Sequence, residues 1–370
     1  MKFRLYIMQE GEKYRIDSGL LFYNRNVTNC RIRVRRPPAR DIDVRAEAMP
    51  QASRRIPRED DVSDGSLFFG SPIWTFNWNP PYQAPLRRLA RTGCKGFELT
   101  AWSVDMLAYY TPETIRELKG IADGEGLVLT NFFFNLPFSR AADAAVSTVD
   151  LDGYKRGMDV AAAIGAPIVT SMTPYPFQSD VKPILQRPIS QEWSAAVEPQ
   201  WDWTGEYDAV VEGFARGCEI AAAVGLRVAI EPHPYRWVSS GQGMLRLIER
   251  TGAANLGLNF DPSHLFPAGD MPHYVVLALG KRIFNTHFSD NEGHTNAHWR
   301  PGRGKIDWKA IFAALRAIGY SGPITLELED APGASHWTHF REATPEFDDE
   351  MRRGMSYLRA AAAELDIIIS

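Results

Sequence analysis

From Leu67 onward, short apolar runs alternate with amphipathic stretches. The run Leu67-Phe-Phe-Gly-Ser-Pro-Ile73 predicts a first strand. Gly96–Thr100, Leu127–Phe132, Pro167–Met172, Arg227–Glu231, Asn255–Phe260, Arg282–His287 and Pro323–Leu328 predict seven more. Apolar runs without strict alternation mark strands buried on both faces, as in a parallel sheet covered by helices. The intervening stretches predict helices over Ala84–Thr92, after Thr111-Pro-Glu-Thr, and over Asp150–Ile164, Tyr207–Val224, Gly243–Arg250, Pro272–Leu279, Asp307–Ile318 and Pro345–Leu365. Thr111 followed by proline is a helix start, and the turns Thr92-Gly, Ile164-Gly and Ile318-Gly are helix stops. Eight strand–helix units predict a closed (β/α)8 TIM barrel. The competing doubly wound sheet would call for a glycine-rich phosphate turn after an early strand, and no G-x-G-x-x-G stands there.

Four consecutive strand ends carry a residue able to bind a metal: Glu231, Asp261, His287 and Glu327. Their spacings of 30, 26 and 40 residues are each about one βα unit. Active sites of such barrels form where strands end, so the four should converge there. Three carboxylates and one imidazole suit one hard or borderline divalent cation, with Mn2+ the first expectation and Mg2+, Co2+ and Zn2+ compatible. His264, in Asp261-Pro-Ser-His264, and Asp290, in His287-Phe-Ser-Asp290, are read as substrate or supporting contacts. Glu329 shares the face of Glu327 and is expected in a rim ion pair. His294 and His298 are expected to be exposed loop histidines. Trp74, Trp78, Trp102, Phe132 to Phe134 and Phe138 follow strands one to three and could stack on a sugar or simply close the barrel top. His233, in Pro232-His233-Pro234, lies where substrate choice would be written. The proline-rich insertion Thr173–Trp203 is long enough to be a lid or a subunit contact.

Residues 1–65 break the pattern. They hold 14 Lys/Arg against 10 Asp/Glu, so they carry +4 and the remainder −8, giving the net −4. Arg31–Arg40 and Ser53–Arg58 show no period, so a basic, loosely ordered extension preceding a 66–370 barrel is expected. Met1–Tyr6 and Gly19–Tyr23 could pair as a small hairpin. An acidic barrel gives no footprint for nucleic acid. No apolar run approaches the roughly 20 residues of a membrane helix. Cys30, Cys94 and Cys218 are odd in number and far apart, which fits reduced thiols and a cytoplasmic protein. A homo-oligomer or a small partner subunit is possible.

The motifs Ile230-Glu231-Pro, Asp261-Pro-Ser-His264, His287-Phe-Ser-Asp290, Arg300-Pro-Gly-Arg-Gly-Lys-Ile-Asp307-Trp, Gly319–Glu327 and Gly96-Phe-Glu98-Leu make Leu67–Leu365 resemble the xylose isomerase-like TIM-barrel superfamily, in its sugar isomerase and epimerase branch. The resemblance implies that Glu231, Asp261, His287 and Glu327 hold one divalent ion. It also implies that Glu231 and Glu327 move a proton, and that His264 and Arg300 contact a small sugar or keto-sugar. That activity is a metal-dependent isomerase or epimerase working next to a carbonyl. Two alternatives use the same barrel: a keto-sugar lyase or dehydratase, including the large subunit of a C-glycoside-cleaving enzyme on a 3-keto-glycoside, and a non-catalytic sugar-binding homologue. The chain departs from the epimerases after strand five, where Pro232–Trp237 replaces a polar residue and a further glutamate.

Overall fold

The computed structural model describes residues 4–9, 12–17, 66–141, 144–176, 200–336, 339 and 341–370. The chain divides into two compact units, Met1–Arg54 and Arg55–Ser370. In the first, Arg4–Gln9 pairs antiparallel with Glu12–Asp17. The strand partner is thus nearer in sequence than the Gly19–Tyr23 of the sequence reading; closing a shorter loop costs less chain entropy. The two arginine-rich runs and the expected loose extension otherwise lie outside the described residues.

The second unit is a closed parallel barrel of eight strands. They are β1 (Phe68–Pro72), β2 (Gly96–Thr100), β3 (Val128–Phe133), β4 (Ile168–Ser171), β5 (Arg227–Ile230), β6 (Leu256–Phe260), β7 (Ile283–Phe288) and β8 (Pro323–Leu326). Each strand pairs with its neighbours in sequence, and β8 closes on β1 through Pro323↔Phe68 to Thr325↔Gly70. The covering helices are α1 (Gln83–Arg91), α2 (Pro112–Glu125), α3 (Leu151–Ile164), α4 (Trp203–Ala223), α5 (Gly241–Thr251), α6 (Pro272–Leu279), α7 (Trp308–Ile318) and α8 (Pro345–Ala363). Thr111 Oγ1 accepts from Thr114 N to cap α2, and Gly319 ends α7 at φ 65°, a left-handed conformation that glycine adopts without penalty. Helix α4 begins four residues before the predicted Tyr207, because the Asp202 carboxylate caps Thr204 N and Gly205 N.

The aromatic residues after β3 divide by strand parity. Phe133 turns into the barrel mouth and meets Trp74 and Trp102 at 5.5 and 5.6 Å between ring centroids. Phe132, Phe134 and Phe138 belong instead to the layer between barrel and helices, against Tyr110, Tyr154 and Phe214. Gly157 of α3 lies so close to the Phe134 ring that an added Cβ would overlap it. Cys94 and Cys218 are buried free thiols.

The barrel interior below the mouth is polar. Glu98, Asn131, Asn259, Asn285 and Thr325 are fully buried and stand in register around the ring, with Glu98 opposite Asn131, Asn259 opposite Asn285 and Thr325 opposite His287. These side chains form the floor on which the mouth residues rest.

Candidate functional site

Glu231, Asp261 and Glu327 each follow the last residue of their strand, and His287 is the penultimate residue of β7. A strand ending in a buried carboxylate delivers it to the mouth with no loop between, so its position is set by the sheet. All four are buried, at 2, 0, 5 and 0% exposure for Glu231, Asp261, Glu327 and His287. One ligand atom from each lies within 4.8 Å of the others. His287 Nδ1 is 2.5 Å from Glu231 Oε1 and 3.2 Å from Glu327 Oε2, yet lies off the line of a hydrogen bond to either. The other ring nitrogen, Nε2, faces Glu98 Oε2 at 2.8 Å. Asn259 Nδ2 donates to Glu231 Oε1 at 2.8 Å, and Trp74 Nε1 donates to Glu327 Oε1 at 3.0 Å. Both glutamates are therefore held in one orientation.

Asp261 shows a similar division of labour. It caps the single turn Pro262–Leu265, and its Oδ1 accepts from Ser263 N at 2.7 Å and Ser263 Oγ at 2.6 Å. Its Oδ2 has no hydrogen-bond partner and lies 3.5 Å from His264 Nε2 and 3.4 Å from His298 Nε2. Asn296 orients both rings: its Oδ1 is 2.7 Å from His264 Nδ1 and its main-chain oxygen 3.1 Å from His298 Nδ1. His298 N donates to Asp330 Oδ2 at 2.8 Å, which draws the loop inward. His233 stacks on His264 with centroids 3.5 Å apart, and its Nδ1 is 3.8 Å from Glu231 Oε2.

This crowding shifts protonation. Burial pushes the Glu231 carboxyl up to about 8; Glu327 and Asp261 add to the rise and His287 opposes it. Glu327 is raised as well, by burial with help from Glu329 and against the pull of His287. Burial would lower His287, but the Glu98, Glu327 and Glu231 carboxylates override it and hold the ring well above its ordinary value. Burial takes His264 down to about 4, whereas at His298 burial is overcome by the nearby Asp261, Glu327 and Glu329 carboxylates together, which lift it to about 10. Like charges packed this closely disfavour one another, and a cation among them relieves the repulsion.

Of the remaining residues singled out from sequence, Trp102 is half-buried at the mouth. It stacks on Trp78 at 4.3 Å and 13°, and meets Trp74 edge-on at 5.5 Å. His336 covers the far side of Trp78 at 4.2 Å and pairs through Nδ1 with Glu329 Oε2 at 3.3 Å, the rim ion pair expected for Glu329. Asp290 acts as a supporting contact: it clasps the loop after β7, accepting from Gly302 N at 2.8 Å, Trp308 Nε1 at 3.0 Å and Ile306 N at 3.1 Å. That clasp folds the Arg300 segment back against α8, where Arg300 Nε meets Glu350 Oε2 at 3.1 Å instead of joining the cluster. The histidine read as an exposed loop residue, His298, is 1% exposed inside the cluster, while His294 is exposed. Asn259 and Asn285 carried a signal that was readable: each stands two positions before a candidate ligand, Asp261 and His287, and so shares its face.

Among the described residues no helix is long and apolar enough to cross a membrane. The profile of the xylose isomerase-like TIM barrel matches residues 86–361. The chain is 22% identical to D-psicose 3-epimerase of Ruminiclostridium cellulolyticum, over 69% of this chain and 80% of that protein. It is 22% identical to inosose dehydratase of Geobacillus thermodenitrificans, over 61% and 77%. A 31% match to the uncharacterized protein MJ1311 of Methanocaldococcus jannaschii spans 30% of this chain and only 39% of that protein. In structure, the chain resembles a D-psicose 3-epimerase crystallised with D-fructose, with TM-score 0.61 and 17% identity over 80% of this chain and 99% of the other. It also resembles the apo form of 3-keto-D-glucoside 4-epimerase from E. coli, with TM-score 0.58 and 16% identity over 80% and 99%. The relatives are thus named as sugar epimerases and dehydratases, the structural likeness fixes the barrel, and the chain belongs to the xylose isomerase-like TIM-barrel family.

Proposed function

We propose that this chain is a divalent-metal-dependent isomerase or epimerase of a keto-sugar, with Glu231 and Glu327 as the proton-moving pair. The observation that carries this reading is the convergence of Glu231 and Glu327 on His287 Nδ1 from β5 and β8, three strands apart in the ring. The donor set fits a cation on its own chemistry: a nitrogen and carboxylate oxygens, with Nδ1 of His287 and Oδ2 of Asp261 buried and without hydrogen bonds. Glu231, Asp261, His287 and Glu327 would hold it, with Mn2+ the first choice and Mg2+, Co2+ or Zn2+ compatible. When bound, the cation would polarise the substrate carbonyl and offset the charge that grows on its oxygen as the proton leaves.

The residues do the rest. Glu231, whose Oε1 accepts from the Asn259 amide, is oriented to serve as one member of the pair. Glu327, steered by the Trp74 N–H, is the other. Trp74 and Trp102 offer flat apolar surfaces and exclude water beside Glu327. His264 and His298 present ring nitrogens that can meet substrate hydroxyls, and His233 flanks Glu231.

A second reading, a keto-sugar lyase or dehydratase or the C-glycoside-cleaving large subunit, keeps the same proton step and differs in what leaves. The stack Trp102–Trp78–His336 favours it, because it extends the aromatic wall away from the carboxylates and would suit a bulkier group. A panel of ketoses, keto-glycosides and keto-acids incubated with Mn2+ in deuterated water decides. The expected result is deuterium at the carbon next to the carbonyl, with loss of a fragment marking the lyase. Glu327→Gln should abolish incorporation while binding persists; undiminished exchange in that variant removes Glu327 from the mechanism. A protein that binds these sugars without exchange in any of them is a sugar-binding homologue.

A further inference from the structure

Glu98 is a fully buried carboxylate in the middle of β2, outside the set of strand-end residues, and the proton step makes no use of it. Three donors converge on it: His287 Nε2 and Asn131 Nδ2 on Oε2, and Asn285 Nδ2 on Oε1, each at 2.8 Å. Asn285 stands two residues before His287 on the same strand face, and Asn131 is the register partner of Glu98 on β3. The two amides leave the carboxylate no freedom to rotate. A carboxylate that accepts from an imidazole nitrogen requires the proton on that nitrogen. Nε2 therefore carries a proton, which leaves Nδ1, turned toward Glu231 and Glu327 without a hydrogen bond, as the nitrogen that would meet a cation.

We propose that Glu98 is a positioning residue that fixes His287 in the Nε2–H tautomer and so strengthens cation binding at Nδ1. The inference rests on the reading of the mouth cluster as a cation site. The physics is general: a histidine that ligates a metal through one nitrogen is oriented and made a better donor when a carboxylate takes the N–H of the other. In this chain that carboxylate comes from β2, three strands from β7 in the ring, and reaches His287 through Nε2. Loss of its charge leaves an imidazole free to place its proton on either nitrogen. Loss of its second acceptor oxygen sets one amide donor against another.

The test uses the full-length protein. Metal-free wild type, Glu98→Gln and Glu98→Asp are titrated with Mn2+, followed by calorimetry and by the electron paramagnetic resonance signal of free Mn2+. Glu98→Gln is expected to weaken binding about 10- to 100-fold. Glu98→Asp, which keeps the charge at a greater distance, should recover part of that loss. Independently, wild type labelled with 15N-histidine and loaded with Zn2+ should show His287 protonated at Nε2 and bound at Nδ1. A Glu98→Gln variant that binds Mn2+ as tightly as wild type overturns the inference, as does a His287 protonated at Nδ1. The second readout decides even where the glutamine variant fails to fold. A wild type that takes up no divalent ion overturns the cation-site reading itself, and with it this inference.

Discussion

Removing the cation should make the protein less stable as pH rises through neutrality, and the structure gives the sign and the size. Burial, aided by Glu327 and Asp261, puts the Glu231 carboxyl at about 8, against an ordinary value of 4.5. A carboxyl raised in this way holds a proton in the folded chain that the unfolded chain has already released, so stability falls with rising pH until the folded value is passed. His287, held well above 6.5 by Glu98, Glu327 and Glu231 against burial, and His298, lifted to about 10 by Asp261, Glu327 and Glu329 against burial, act in the same direction. For a histidine with a raised value, the stabilisation is complete below the unfolded value and is lost as pH climbs through the folded one. His264 has the opposite sign, because burial takes it down to about 4; its contribution grows between about 4 and 6.5 and is complete above that. The window free of this opposition therefore runs from pH 6.5 to 8. Each extra proton that the folded chain holds there corresponds to about 1.4 kcal/mol per pH unit, or about 2 kcal/mol over the window.

Urea denaturation at intervals from pH 6.5 to 8, with a chelator present, reads this directly as a falling midpoint. Repeating the series with Mn2+ in excess should flatten or reverse the slope, because deprotonated ligands bind the ion better at higher pH and bound ion stabilises the folded state. A metal-free protein whose midpoint stays level or rises across the window would refute the charge assignment at the mouth.

Asp261→Asn should lower bound divalent metal from about one ion per chain toward none in elemental analysis; full occupancy would remove Asp261 from the ligand set. Arg300→Ala should leave deuterium exchange and substrate affinity within about twofold of wild type and cost at most about 1 kcal/mol in urea denaturation, because the side chain pairs with Glu350 at partial exposure. Gly157→Ala should destabilise the fold by about 1–3 kcal/mol without changing metal content, since its methyl would overlap the Phe134 ring, which is packed against Tyr154.

The barrel was legible because every unit repeats one pattern, an apolar run, a break and an amphipathic helix. For β2 and α6 the predicted and observed limits coincide. The start of α4 was missed because Trp203-Thr-Gly-Glu206 has weak helix propensity and only the Asp202 cap makes it helical. The four strand-end residues were legible for the same reason as the strands: one metal-binding residue type ends each of four successive apolar runs. His298 was not. It sits on a loop without period, and its burial depends on Asp330 and Asn296, contacts that spacing does not encode. Arg300 adds another contact that spacing does not encode: its Nε pairs with Glu350 Oε2 of α8 at 3.1 Å. Residue type carried the information where the sheet sets position, and failed where a loop does.

Glu98 shows how the two kinds of information combine. Its partner His287 lies 189 residues away, so no local pattern joins them. A lone carboxylate in an otherwise apolar strand is still a signal, because a buried charge is costly unless it is paired. The same reasoning covers the whole interior. A barrel filled with Val, Ile and Leu would be the ordinary way to pack this layer. Here Asn131 and Asn285 each direct an amide donor at Glu98, and Asn259 directs one at Glu231. Each amide fixes one oxygen of a carboxylate and leaves the site-facing groups no alternative orientation. The floor thereby exchanges apolar packing for a mouth in which Glu231 and Glu327 repel one another and His287 is held between them. This arrangement makes cation binding and stability one linked quantity, so the pH series and the Mn2+ titration of the Glu98 variants measure two faces of the same network.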